Sequence, residues 1–324
     1  MKVLLTGAFG NIGRSTLDAL LARGHVVRTF DLPSRANLKA ARKYAREVEL
    51  AWGDLRDPQA VATAVQGVDA VIHLAFVIPN LSKTGVSSEA RPDWARSINV
   101  GGTHVLIDAL RAQGQHGKRS PRLIFASSLH VFGKTQHLPP PRTTADLPHP
   151  TDNYSQHKYE VEQMVRESGL EWSILRLGAA LPIQLIFDRG MFQVPLDNRI
   201  EFVHTRDAGM AFANAVDTPP IIGQTLLIGG GPGCQLYYRE MMARVLEAMG
   251  IGQLPDWAFS HEEYPTDWLD TTQSQAMLHF QVRTFEDYIN DLRRALGGLR
   301  FWVVAARPLV RRWLLSKSPY HSSL

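Results

Sequence analysis

Short apolar runs of strand length alternate with helix-length segments through the first half of the chain. The runs are Val3 to Leu5, Val26 to Phe30, Val48 to Trp52, Ala70 to Leu74, Leu123 to Ala126 and Trp172 to Leu175. They are continuous rather than alternating, which suits strands covered on both faces. The gaps between them carry apolar positions at helical spacing, in Ile12 to Arg23 (closed by Gly24), Pro58 to Val65, Trp94 to Ala112 and Tyr154 to Glu167. Strand then helix, repeated, predicts an α/β fold: a doubly wound parallel sheet of Rossmann type. From about Leu181 scattered prolines break the pattern and only isolated helices remain, at Arg239 to Met249 and Thr284 to Leu296. This predicts a smaller C-terminal substrate-binding lobe. The expected division is a dinucleotide-binding domain of residues 1–180 to which 200–230 return, a lobe of 181–199 and 231–296, and a tail of 297–324.

Composition narrows the class. The chain has 324 residues, 44% of them hydrophobic and 20% charged, which supports a sizeable core and excludes a disordered or fibrous protein. Cys234 is the only cysteine, and no Cys/His cluster has metal-ligand spacing, so neither a disulfide nor a metal is expected, and a reducing, cytoplasmic location is. Met1 to Thr6 lacks the ordered regions of a signal peptide. The net charge of +4 is unevenly placed. After Asp291 there is no acid, while Arg293, Arg294, Arg300, Arg307, Arg311, Arg312 and Lys317 are all basic, and the rest of the chain holds 28 basic against 31 acidic residues, net −3. A mildly acidic body removes nucleic acid as the expected partner.

The segment Thr6-Gly7-Ala8-Phe9-Gly10-Asn11-Ile12-Gly13 lies between the first strand and the first helix. Glycine at 7 suits a tight turn, at 10 a close approach to pyrophosphate, and at 13 close packing of helix on strand. Gly7, Phe9, Gly10, Asn11, Ile12 and Gly13 are therefore the candidate contacts to a dinucleotide. Asp31 ends the second strand, where a carboxylate accepts from ribose hydroxyls and repels a 2′-phosphate, favouring NAD over NADP; Arg35 nearby blurs that preference.

Tyr154 and Lys158 are four residues apart on a predicted helix and share a face. An ammonium beside a phenol lowers its pKa from about 10 toward working pH, so that it can exchange a proton with a carbinol oxygen as hydride moves. Ser127 and Ser128 end the fifth strand, at the carboxyl edge where ligands bind in open parallel sheets.

With these residues the chain resembles the extended short-chain dehydrogenase/reductase family, in its epimerase/dehydratase branch. The resemblance also rests on Gly53-Asp54-Leu55, His73-Leu74-Ala75, Asn99-Val100-Gly101-Gly102-Thr103, Ser127 to Gly133, Leu175 to Gly178 and Phe202 to Asp207, and covers roughly residues 1 to 296. It implies that Asp54 and Leu55 contact the adenine, that Leu74 and Ala75 line the dinucleotide path, and that Leu177 and Gly178 pass beside the nicotinamide. It further implies that Lys158 holds the nicotinamide ribose, that Ser128 rather than Ser127 is the catalytic serine, and that Asn99 supports the lysine. Two departures matter. Leu129-His130 stands where the family's dehydratases carry an Asp-Glu pair, which argues against dehydration, and Ala179-Ala180 stands where its nucleotide-sugar epimerases usually present an asparagine. Asp207 is expected to cap a helix.

The resulting expectation is an NAD-dependent oxidoreductase acting at a secondary alcohol or ketone carbon of a small molecule, with Tyr154 as acid/base. The alternatives are an NAD-dependent sugar epimerase with retained cofactor and a non-catalytic dinucleotide sensor. The tail, Leu299 to Leu315, carries four arginines and Pro308 in 17 residues, short of the roughly 20 apolar residues that span a bilayer. Two uses of it are expected: peripheral membrane contact, with Trp302 and Trp313 at the interface and arginines facing headgroups, or packing on the body or on a second subunit of a homodimer.

Overall fold

The computed structural model describes residues 1–79, 86–114 and 119–320. Nine strands form: β1 (Lys2–Thr6), β2 (Val26–Asp31), β3 (Glu49–Trp52), β4 (Ala70–His73), β5 (Arg122–Ser128), β6 (Trp172–Leu177), β7 (Arg199–Glu201), β8 (Gln224–Ile228) and β9 (Gln235–Tyr237). Seven of them make one parallel sheet in the order β3-β2-β1-β4-β5-β6-β8. Every residue of β4 and β5 is buried, which explains why the central runs are continuously apolar.

Helices cover both faces. α1 (Asn11–Ala22), α2 (Arg35–Ala41), α3 (Pro58–Ala64), α4 (Pro92–Arg96), α5 (Gly102–Gln113), α6 (Asn153–Arg166) and α7 (Thr205–Val216) flank the sheet. Leu17 and Leu20 of α1 share a core with Ala208, Ala211 and Phe212 of α7 on one face. On the other, Val61 of α3, Leu106 and Leu110 of α5 and Val161 and Val165 of α6 pack together. The two helices of the first face touch closely, since a Cβ on Gly209 would lie 2.4 Å from the Ser15 backbone. Asp207 does not cap its own helix. His204 takes that place by accepting from the Arg206 amide, while Asp207 accepts from Val282 and Arg283. The helix expected from Trp94 to Ala112 is one path through α4 and α5 with a wider turn at Ser97–Gly101, where the hydrogen bonds reach back five residues.

The remaining helices are α8 (Tyr238–Ala248), α9 (Thr272–Leu278), α10 (Phe285–Leu296), α11 (Leu299–Ala305) and α12 (Arg307–Leu315). The last two, with α8 and α10, enclose a second core that includes Phe192, Phe202, Met241, Val245, Tyr288 and Leu292. β7 and β9 pair antiparallel at its border. Asp267, 1% exposed, joins this lobe to the loop before α6: it meets Arg199 at 2.7 Å and Arg142 at 3.2 Å and accepts from Thr135 at 2.9 Å. Among the described residues its removal leaves the largely buried Arg199 without a counter-ion, holding only the Thr135 and Leu138 carbonyls, while Arg142 keeps Asp146 at 3.0 Å. Asp267→Ala is therefore expected to lower the unfolding free energy by about 3–5 kcal/mol, read as a shift in the urea midpoint; a change below about 1 kcal/mol would mean that Arg199 is held by other groups.

Candidate active site

The loop after β1 is shaped by backbone contacts. Gly7 sits at φ +68°, a conformation that side chains rarely adopt, and its missing Cβ would meet Ala75 N at 2.8 Å. A Cβ on Gly13 would lie 2.1 Å from Gly7 O, so α1 can approach the turn only with glycine there. Gly10, the N-cap of α1, has nothing nearer than Gly7 O at 3.2 Å. Among the described residues no side chain caps α1 and no acid stands in its first turn, a helix end whose amides and dipole suit an anion. Phe9 faces the core, stacked on Trp52 at 5.6 Å, and its amide donates to Asp31 at 3.1 Å. Asp31 also accepts from Leu32 N and Asn37 Nδ2, which fixes the carboxylate beside the loop. Asn11 reaches across to Ala180 O, and Ile12 packs on the core.

α6 is started by a capping box between Asp152 and Ser155. Tyr154, Lys158 and Glu162 follow at four-residue intervals and share the face turned to β5. The two serines of β5 have different tasks. Ser127 Oγ donates to buried Glu162 at 2.6 Å, whereas Ser128 Oγ accepts from the His130 amide at 3.2 Å and acts to lower the Tyr154 pKa. Lys158 Nζ donates to Ala126 O at 2.5 Å and lies 3.5 Å from the Phe76 ring centroid, 5.7 Å from that of Tyr154. Burial drives the lysine pKa well below its ordinary value, opposed by Glu162. Burial also raises the Tyr154 pKa, offset in part by Ser128. The lowering of the phenol that the Tyr/Lys spacing predicts is thus outweighed in this geometry by desolvation.

Asn99 accepts from Val77 N at 2.7 Å, donates to Val77 O at 3.0 Å and lies with Nδ2 3.4 Å from His157 Nδ1, the neighbour of Lys158 on α6. The wide turn at Ser97–Gly101 sets it there. Behind it runs a buried chain of hydrogen bonds. Leu74 N and Ala75 N donate to Thr6 Oγ1, which donates to His73 Nδ1; His73 Nε2 donates to Thr103 Oγ1, which donates to Asn99 O. The directions assign the proton of neutral His73 to Nε2. Asp54 pairs with exposed Arg56, Leu55 is buried against Gly102, and Gly178 N donates to Ile228 O beside half-buried Leu177.

An aromatic wall surrounds Tyr154. Phe76 meets it edge-on at 5.9 Å and His130 at 5.7 Å, and Tyr264 meets His130 at 5.4 Å. His130 Nδ1 lies 3.6 Å from Asp152. Leu129 is buried with Phe132, Leu227 and Leu269, so of the two residues replacing an Asp-Glu pair only His130 reaches Tyr154. Tyr264 comes from a proline-broken stretch more than a hundred residues beyond Tyr154, and no pattern in the sequence marks it as part of this site.

A dinucleotide loop joined to a Ser-Tyr-Lys group at the carboxyl edge of a parallel sheet defines the class, and comparison gives the family. Residues 3–180 match the NAD dependent epimerase/dehydratase family, and the chain belongs to it. A 3 beta-hydroxysteroid dehydrogenase/Delta 5-->4-isomerase of Mycobacterium tuberculosis is 32% identical over 142 residues, covering 42% of this chain and 34% of that protein. A UDP-glucose 4-epimerase of Corynebacterium glutamicum is 31% identical over 166 residues, covering 51% and 46%. The chain spans about half or less of the length of the first curated relatives it matches. A solved UDP-glucose-4-epimerase from Stenotrophomonas maltophila, with bound NAD and formylated UDP-arabinopyranose, shares the fold at TM-score 0.74 and 20% identity, over 94% of this chain and 99% of that one.

His73 supplies a pH test of the buried chain. Burial, with Lys158 nearby, lowers its pKa to about 3, so below about pH 6.5 the unfolded chain takes up a proton that the folded chain refuses. Stability from this group is complete above that pH and is lost as pH falls toward 3. Between pH 7 and 5 the loss is expected to be about 2 kcal/mol, and the urea-derived slope should flatten by that amount in His73→Gln. Parallel slopes would place His73 in a site that accepts the imidazolium.

Proposed function

We propose that the protein is an NAD-dependent oxidoreductase that interconverts a secondary alcohol and a ketone on a small, largely apolar molecule. The observation that carries this reading is the convergence of Ser128 at the end of β5 with Tyr154 and Lys158 on one face of α6, Lys158 Nζ 5.7 Å from the Tyr154 ring, at the sheet edge shared with the glycine loop. Gly7, Gly10 and Gly13 with the first-turn amides of α1 would hold the pyrophosphate, and Asp31 the adenosine ribose. Asp54, Leu55, Leu74, Ala75, Leu177 and Gly178 lie on elements that would line the rest of the path. When bound, the dinucleotide supplies the hydride donor or acceptor.

The chain's own groups handle the proton. In reduction, Ser128 Oγ donates a hydrogen bond to the carbonyl oxygen and orients it, and Tyr154 Oη gives that oxygen its proton as the carbinol forms. Lys158 then compensates the phenolate charge. In oxidation the same proton travels back. Phe76, His130 and Tyr264 exclude water around the phenol, which strengthens each of these interactions.

The apolar wall favours a cyclic or alkyl secondary alcohol, in keeping with the hydroxysteroid dehydrogenase relative. The second reading, a sugar epimerase, is favoured by the epimerase relative and uses the same residues with retained cofactor. A panel of sterols, hydroxy ketones and nucleotide sugars distinguishes them. The oxidoreductase reading expects net NADH formation from an apolar alcohol, and an isomerised sugar with no net NADH would overturn it. Tyr154→Phe is expected to lower kcat about 10²–10⁴-fold with NAD affinity unchanged by calorimetry. An active Tyr154→Phe would remove the phenol from the mechanism.

A further inference from the structure

The oxidoreductase reading leaves the end of the chain unused. α11 and α12, separated only by Ala306, form a docked helical segment with two unlike sides. On the inner side Val303 and Leu314 are buried in the second core. Three arginines hold the segment to the carboxyl end of α8 and the residues just beyond it: Arg300 Nε donates to Ala248 O at 3.0 Å, Arg307 Nε to Ile251 O at 2.8 Å, and Arg311 Nη1 to the same carbonyl at 3.3 Å. These cations satisfy carbonyls without helical partners at the end of α8 and just beyond it. They are therefore structural clamps, which corrects the expectation that the tail's arginines as a group face headgroups.

The outer side is apolar and aromatic. Phe301 is 68% exposed, Trp302 69% and Leu309 73%, with Leu299 and Trp313 about half exposed. Leu309 and Trp313, four apart, share a face of α12, and the rings of Phe301 and Trp302 meet at 5.6 Å. Cations border this surface: exposed Arg312 beside Trp313, half-buried Lys317 with Nζ 5.7 Å from the Trp313 ring, and exposed Arg293 on the preceding helix, where Arg294 is paired with Asp291. No acid occurs after Asp291.

We propose that this outer side docks on an anionic lipid bilayer. Charge selects the occupant. An isologous contact with a second copy would set one predominantly cationic segment, with no acid of its own, against itself, which like-charge repulsion opposes. A bilayer offers phosphate and carboxylate headgroups to the cations and a shallow apolar layer to the indoles and to Phe301 and Leu309. The segment lies in the plane of the membrane. Its helices have seven and nine residues, and among the described residues no helix is long and apolar enough to cross a membrane.

Co-sedimentation of the full chain with vesicles tests this independently of any catalytic activity. The full chain is expected to pellet with phosphatidylcholine vesicles containing roughly one-third phosphatidylserine, and at least about tenfold less with phosphatidylcholine alone. Phe301→Ser/Trp302→Ser/Leu309→Ser, at exposed positions, should bind the anionic vesicles at least about tenfold more weakly with an unchanged urea midpoint. The charge reversal Arg312→Glu/Lys317→Glu should do the same by a different route. Failure of the full chain to pellet, or equal pelleting of both variants, overturns the proposal. So does a full chain that is dimeric by sedimentation velocity and becomes monomeric in the triple variant, which would make the surface a subunit interface.

Discussion

The carboxylate of Glu162 is the constraint on which the geometry of the site depends. It is fully buried and receives Arg176 Nε at 2.8 Å, Arg176 Nη2 at 2.7 Å, Ser127 Oγ at 2.6 Å and Arg166 at 2.9 Å. Burial alone would push its carboxyl up; the arginines and the serine outweigh this and hold it below the usual carboxylate range. A buried ion group of this kind is poor evidence for net stability, because the desolvation of its members is costly. Its value lies in direction. The fork of Arg176 comes from β6 and the hydroxyl of Ser127 from β5, so α6 has one depth and one rotation at which all three meet. Two turns toward the N-terminus of that helix, Tyr154 is placed by the same contact, and Lys158 is enclosed between them.

That arrangement explains which parts of the site can be read from the sequence. The four-residue spacing of Tyr154 and Lys158, the glycine loop and the strand-end serines are local patterns, and local patterns survive in one dimension. The sharing of labour between Ser127 and Ser128 does not survive there, since it depends on Glu162 arriving from another element. Asn99 is similar: its motif is visible, but its partners at Val77 follow from a wide helical turn that no composition announces. Tyr264 and Phe76 enter the site from distant or irregular segments, where no period exists to mark an inward side chain.

The fold divides in the same way. The six strands of the first half are legible because both faces of the sheet are covered and the runs are apolar throughout. β8 is not among them, since Gln224 and Thr225 are only partly buried at the sheet's edge and blunt its apolar signal. The tail is legible as a charge anomaly, but its basic residues are put to two uses. Arg300 is drawn inward by the Ala248 carbonyl at the end of α8, and Arg307 and Arg311 by the Ile251 carbonyl just beyond it, a demand set by tertiary position alone.

Desolvation then sets the resting state of the site. The same enclosure that places Tyr154 raises its pKa, and the aromatic wall of Phe76 and His130 keeps water from reversing that shift. The phenol is held protonated. In the proposed reaction a ketone oxygen arriving there would meet a proton donor that needs no prior ionisation, whereas an alcohol would have to find the phenol deprotonated. The ammonium of Lys158 is the group able to stabilise that phenolate, yet burial weakens its own hold on a proton. In that proposal proton delivery is the half of the chemistry that this enclosure favours, and oxidation would depend on charge brought in with the bound molecules.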